Sequence, residues 1–372
     1  MTPRERIFTI LRGEQPDQVP WFGDLDYWAN SLIKRGLKPE GFIQSEEYIK
    51  WHVDLGVGFY LQGFFPFTEI IENCEVKTWN DGNLRYREIF TPRGNLRECW
   101  QWLETSFSEG HKEYLVKGAE DLPAYRYVIG NTRFEPDYEY AEKRRRQIGD
   151  QGALLCYTPR SPFMHLLAMD AGINNIMMTY MEEPEGFTDT IELMKEKFTE
   201  AAEITIASPA EIVMTPENLS AEMVGPNFFK QYMREIQTKW SDMIKAAGKY
   251  SCMHMYGTLG ALPREEASVG LSFIEACTPG PVGDVPMSEW PGFIKDSNTI
   301  LWGGVPGIYF TAKVSDAEFD RFIIEEVLPV MKSGPQYVLG VADQVPPDGL
   351  ESRVRRVREL VDKHGKYGCR EG

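Results

Sequence analysis

The sequence predicts an eight-stranded α/β barrel, and three observations carry that expectation. Eight short apolar runs rich in β-branched or aromatic residues recur along the chain. Each is followed by a polar or Gly/Pro turn and then by a stretch with helical periodicity, the alternation that builds a parallel sheet. The length of 372 residues suits one barrel with insertions, so residues 1–372 read as a single domain.

In chain order the expected strands are residues 19–23, 57–61, 153–157, 211–214, 250–254, 271–276, 300–303 and 337–340. Four helices announce themselves between and after them. Residues 184–206 begin Glu-Pro-Glu, with acids suited to a helix N-terminus, and carry Phe187, Ile191, Met194, Phe198 and Ala201 at three- to four-residue spacing. Residues 227–247, 316–332 and 350–364 follow the same periodicity. The interruption is about 73–121, where period-2 alternation runs around Asn80-Asp-Gly and Arg93-Gly turns. It predicts an antiparallel β insertion between strands two and three.

Composition excludes several function classes. With 40 Lys+Arg against 56 Asp+Glu, a net charge of -16 repels polyanions, so no nucleic-acid partner is expected. No run approaches the apolar length of a membrane span, and the charged, amphipathic first residues do not read as a signal peptide. The expectation is a cytoplasmic protein without a membrane partner. Six scattered cysteines without a CxxC pair fit reduced thiols. No GxGxxG following a strand, Walker A loop, HExxH or GxSxG elbow is present, which removes the usual dinucleotide, P-loop, zincin and serine-hydrolase readings.

Barrel chemistry sits at the C-terminal ends of the strands. Polar residues expected there are Asp24 and Asp26 after strand one, Gln62 after two, and Tyr157 and Arg160 after three. They continue with Glu217 and Asn218 after four, His254 and Tyr256 at five, Glu275 and Cys277 at six, and Asp343 and Gln344 after eight. Among five histidines His254 alone falls at an expected strand end, before a Gly turn, where an imidazole can ligate metal or move a proton. The bland reading is a satisfied buried histidine. Glu217 follows a proline that fixes the backbone and suits a metal ligand or base, or equally a helix-capping acid. Cys252 and Cys277 can add thiolates, although buried structural thiols are commoner. Asp24 and Asp26 are either a pair at the barrel mouth, one with a raised pKa, or one inward acid and one cap. Trp21, Asp26, Tyr157, Phe64 and Asp343 are the expected substrate contacts, the aromatic run around Phe64 walling an apolar pocket.

Several segments resemble, in order and spacing, uroporphyrinogen decarboxylase-like proteins. They are the opening Met1-Thr-Pro-Arg-Glu-Arg-Ile-Phe, Lys117-Gly-Ala-Glu-Asp-Leu, His254-Met-Tyr-Gly, Leu301-Trp-Gly-Gly-Val-Pro-Gly and Leu339-Gly-Val-Ala-Asp-Gln. The true decarboxylases carry an arginine-rich RQAGRY-type motif near the first strand. Here that stretch reads Val19-Pro-Trp-Phe-Gly-Asp-Leu-Asp and lacks arginine, a poor match to a polycarboxylate substrate. The sequence is more similar to the corrinoid-dependent methyltransferase branch, which uses a zinc held by a His-x-Cys pair and a late Cys. His254 matches the histidine, but Tyr256 and Val341 stand at the two Cys positions.

The resemblance therefore implies a substrate-side methyltransferase of an O-demethylase system, with a harder zinc site of Glu217, His254 and Glu275 or Cys277. A methyl ether, an aromatic one by preference, would pass its methyl group to cobalamin carried by a partner corrinoid protein. Glu217, His254, Tyr256 and Asp24 are the expected catalytic residues, with Tyr256 hydrogen-bonding the leaving oxygen. The alternatives are a decarboxylase or lyase acting on a small carboxylate substrate and a non-catalytic ligand-binding barrel.

Overall fold

A computed structural model describes residues 1–368; Cys369 lies outside the described residues. Six parallel strands form one sheet in the order Tyr337–Ala342, Ile300–Pro306, Phe273–Cys277, Tyr250–Met255, Ile212–Leu219 and Leu155–Tyr157. The sheet follows chain order, as short right-handed strand–helix–strand connections dictate. Phe59–Tyr60 pairs in parallel with Gly152–Ala153, just upstream of Leu155. Parallel bridges also join Phe22 to Gly58 and Trp21 to Leu339. All eight expected strand regions thus take part in parallel pairing, in a mixed α/β fold compatible with a barrel.

Side chains alternate across these strands with period two. Phe22, Tyr60, Leu155, Met214, Cys252, Phe273, Trp302 and Val338 form an inner cluster. Their neighbours Val213, Met253, Ile274, Leu301 and Leu339 belong to the larger core shared with the helices. Such two-sided burial explains why the strands read as near-continuous apolar runs. The first helix, Pro3–Leu11, is started by a Thr2–Glu5 capping box and adds Ile7 and Ile10 to the inner cluster. Its Arg4 pairs with Glu211 and with the Gly152 carbonyl at the starts of two strands, so the helix covers the end opposite the strand C-termini. Glycine is required at position 152, where an added Cβ would lie 1.7 Å from the Phe59 carbonyl oxygen.

The four expected helices are found at Pro184–Ala207, Arg234–Ala246, Asp316–Arg321 and Glu351–His364. Two stretches expected as continuous helices contain wide π-type turns, Phe229–Met233 and Phe322–Val327, which periodicity does not reveal. The insertion is a four-stranded antiparallel sheet of Glu75–Asp81, Leu84–Thr91, Gly94–Leu103 and Ser108–Glu113. It is broader than expected, because a second antiparallel pair, Phe67–Ile71 with Thr132–Pro136, flanks it. Residues 119–130, partly assigned to the insertion sheet, are helical. Among the described residues no helix is long and apolar enough to cross a membrane.

Candidate active site

The strand C-termini converge on a cavity of about 480 Å³, within the size range of small-molecule sites. Asp24, Asp26, Tyr157, His254, Tyr256 and Asp343 all line it. Three local features aim these groups. His254 and Glu275 are register partners on neighbouring strands, so their side chains share one face. A register shift between Thr215 and Leu219 re-aims the end of strand four. Asn218 and Asp343 adopt left-handed backbone conformations with φ of 55° and 76°, strain of a kind that clusters at functional sites.

His254 is the electrostatic centre. Its Nδ1 lies 2.6 Å from the Glu275 carboxylate, and its Nε2 lies 3.5 Å from Asp343. The histidine side chain is 14% exposed and Glu275 only 2%, whereas Asp343 is 43% exposed at the mouth. Burial opposes charge on the imidazole, but Glu275 and Asp343 together outweigh it and the pKa is pushed up to about 10. The residue is an imidazolium at neutral pH, donating from Nδ1 to Glu275, with its Nε2–H on the cavity side. Tyr60 Oη donates to the other Glu275 oxygen at 3.1 Å, which fixes the carboxylate and through it the ring.

Asp24 and Asp26 both reach the cavity but differ in partners. Asp24 Oδ1 accepts the Asp26 backbone N–H at 2.8 Å. Burial, then the nearby Asp26 charge, pushes its pKa well up. Asp26 accepts from the Tyr48 hydroxyl, and burial raises it as well. Tyr256 packs beside the imidazole with ring centroids 5.7 Å apart.

Four expected site residues lie elsewhere. Glu217 is fully buried and turned away from the mouth, accepting from Ser161 N at 3.0 Å and Gln237 Nε2 at 3.1 Å. Cys277 is buried, with its thiol against the Ile274 carbonyl at 3.5 Å. Trp21 points into the helix layer and stacks on Phe310, because strand alternation sends Phe22 rather than Trp21 inward. Phe64 packs on Tyr140 and does not line the cavity. The wall is accordingly tyrosine and charge rather than an apolar aromatic belt.

Of the expected zinc ligands, His254 meets the alternative ligand Glu275, whereas Glu217 and Cys277 make their contacts elsewhere. Among the described residues no group of three His, Cys, Asp or Glu side chains is placed to hold a metal ion, fewer protein ligands than zinc ordinarily takes. The donor set as arranged does not fit that role. Three further site residues carry no strand-end signal in the sequence: Tyr60, two residues before Gln62 and bonded to Glu275, and Tyr27 and Ser108 of the cavity wall. Tyr27 lies in the first turn of the helix Asp26–Lys34, and Ser108 comes from the insertion, whose placement at the cavity no local pattern encodes.

The family model for uroporphyrinogen decarboxylase (URO-D) matches residues 120–364. The chain belongs to that family. Among solved structures, a methyltransferase from Methanosarcina mazei superposes with a TM-score of 0.64 at 13% identity, covering 98% of this chain and 99% of that one. This likeness establishes the shared fold. A D-psicose 3-epimerase from Clostridium cellulolyticum H10 matches with a TM-score of 0.33 and 10% identity, over 66% of this chain and 86% of that one. No curated protein matches the chain.

Proposed function

We propose that this protein is a methyltransferase of the corrinoid-dependent branch, built on a closed (β/α)8 barrel, that removes a methyl group from an aromatic methyl ether. Closure is supported by the Phe22 N to Leu339 O and Gly58 N to Trp21 O hydrogen bonds, both 2.9 Å. The observation that carries the chemistry is His254 held between Glu275 and Asp343 at the cavity.

Breaking an aryl O–CH3 bond leaves a phenolate, and a phenol has a pKa of about 10. An imidazolium kept protonated by Glu275 and Asp343, its pKa pushed up to about 10, can donate a proton to that oxygen as it acquires charge. The nucleophile is a reduced corrinoid cobalt on a partner protein, which supplies the electron pair that forms the cobalt–carbon bond as the carbon–oxygen bond breaks. The proton on the departing oxygen comes from His254 Nε2. Glu275 then retains the neutral imidazole through Nδ1–H, with Tyr60 holding the carboxylate in place. Tyr256 beside the ring offers a second hydrogen bond to the same oxygen. Asp24, whose carboxyl is driven toward its neutral form, avoids adding a further negative charge where the phenolate develops.

His254→Gln is expected to lower the methyl-transfer rate ~10²- to 10⁴-fold, the usual contribution of a positioned general acid. Rates measured for phenyl methyl ethers with electron-withdrawing substituents test the same step, because a better leaving group needs the proton less. The variant should recover part of its loss on such substrates. Equal loss on all leaving groups would remove His254 from proton transfer.

A further inference from the structure

A second cavity, of about 300 Å³, lies between the inserted sheet and the helices Leu122–Gly130 and Pro184–Ala207, and shares no lining residue with the first. Arg85, Arg87 and Ile89 alternate along Leu84–Thr91 and so share one face, with Trp100 and Glu98 opposite Arg85 and Arg87 in register. The two helices supply Val128, Ile129 and Phe198 as apolar surface. Asp170 closes a π-type turn, Leu166–Asp170, a geometry frequent at functional sites. It lies buried in the cavity wall, where Tyr125 Oη donates to it at 2.6 Å and His165 Nε2 stands 3.1 Å away.

The charged groups of this wall are paired except at two points. Arg85 forks onto Glu109 at 3.0 and 2.6 Å. Arg87 gives the buried Glu98 its Nε alone, at 2.7 Å, and among the described residues its two terminal nitrogens make no hydrogen bond. Glu69, from the flanking strand Phe67–Ile71, has neither a hydrogen bond nor an ion pair among the described residues. Its carboxyl is open to water through the cavity, while the protein packed around it raises the pKa by desolvation and His165, then Arg87, oppose the rise.

A carboxylate and a guanidinium that face one cavity without meeting are bridged by a molecule that carries both opposite charges. A bare amine would satisfy Glu69 and leave its own charge beside Arg87, and a simple acid would do the reverse. The unused edge of the guanidinium matches a carboxylate, and an ammonium is the compact donor that a lone carboxylate accepts. We infer that this cavity is a ligand site for a free α-amino acid with an apolar side chain, its ammonium on Glu69, its carboxylate on the terminal nitrogens of Arg87 and its side chain among Ile71, Ile129 and Phe198. The volume stands at the lower limit for small-molecule sites, which suits one amino acid rather than a peptide. No residue of the methyl-transfer site takes part, so failure of either reading leaves the other intact.

The test is calorimetric binding of L-phenylalanine to the intact protein, against 3-phenylpropanoate, which lacks the ammonium, and 2-phenylethylamine, which lacks the carboxylate. The amino acid is expected to bind at least ~10-fold more tightly than either, the least that a hydrogen bond to a charged group contributes. Glu69→Gln should bring L-phenylalanine down to the affinity of 3-phenylpropanoate. Arg87→Lys keeps a positive charge opposite Glu98 but removes the fork, and should bring it down toward that of 2-phenylethylamine. Thermal unfolding of each variant verifies folding, and Glu69→Gln alone decides if Arg87→Lys does not fold. His254→Gln should bind the amino acid as wild type does; loss of binding there would place it in the first cavity and overturn the inference. No binding by wild type, equal binding of the three probes, tighter binding of a single-charge probe, or a preference that survives in the corresponding folded variant would each overturn it as well.

Discussion

Replacing Glu275 by glutamine should uncouple His254 from its charge. The carboxylate sits 2.6 Å from Nδ1 and is almost fully buried, so its interaction with the imidazolium is poorly screened. The rise from 6.5 to about 10 corresponds to ~5 kcal/mol of preference for the protonated form, at ~1.4 kcal/mol per unit. Because the folded-state pKa lies above the unfolded one, this stabilisation is fully present below pH 6.5. It declines as pH rises and is gone above about 10. Urea unfolding of wild type should therefore weaken across that window by up to ~5 kcal/mol from this group. In Glu275→Gln, Asp343 alone supports the charge, so the His254 pKa should fall by roughly two units or more and the decline should flatten. Labelled-histidine NMR reads the titration directly. The methyl-transfer rate should begin to fall at correspondingly lower pH in the variant. A wild-type His254 that titrates near 6.5, or a variant that still titrates near 10, would refute the reasoning.

Tyr60→Phe removes the 3.1 Å hydrogen bond to buried Glu275 and should cost ~1–3 kcal/mol in unfolding free energy, with a smaller rate loss than His254→Gln. Glu217→Gln should reduce stability by ~1–3 kcal/mol through its bonds to Ser161 and Gln237 while leaving the rate within a few-fold; a collapse of activity in folded variant would return Glu217 to the catalytic set. Protein incubated with zinc and desalted should retain far less than one equivalent by elemental analysis, since no three ligands are grouped among the described residues. A full equivalent lost in His254→Ala would show that the side chains rearrange into a metal centre.

The strand order was readable because each strand is buried on both faces and so appears as an apolar run. His254, Asp24 and Asp343 could be placed at the cavity for the related reason that strand C-termini converge there in this architecture. What a strand-end rule does not resolve is the direction of a side chain. Trp21 and Phe22 differ by one residue and face opposite layers, and the register shift after Thr215 separates Glu217 from Asn218, turning one outward and the other into the cavity. Glu69 and Arg87 carry no strand-end signal, and their facing one cavity is a property of three-dimensional charge placement. The insertion announced its hairpins through Asp-Gly and Arg-Gly turns, yet its Ser108 in the cavity wall depends on packing between distant segments.

The most direct measurement is methyl transfer itself. Purified protein is mixed with 4-methoxybenzoate and chemically reduced free cob(I)alamin, following the cob(I)alamin absorbance together with chromatographic quantitation of product. The account predicts consumption of cob(I)alamin with stoichiometric 4-hydroxybenzoate, slowed ~10²- to 10⁴-fold in His254→Gln. Release of carbon dioxide with the methoxy group intact, or no reaction above that of cob(I)alamin and ether alone, would contradict it.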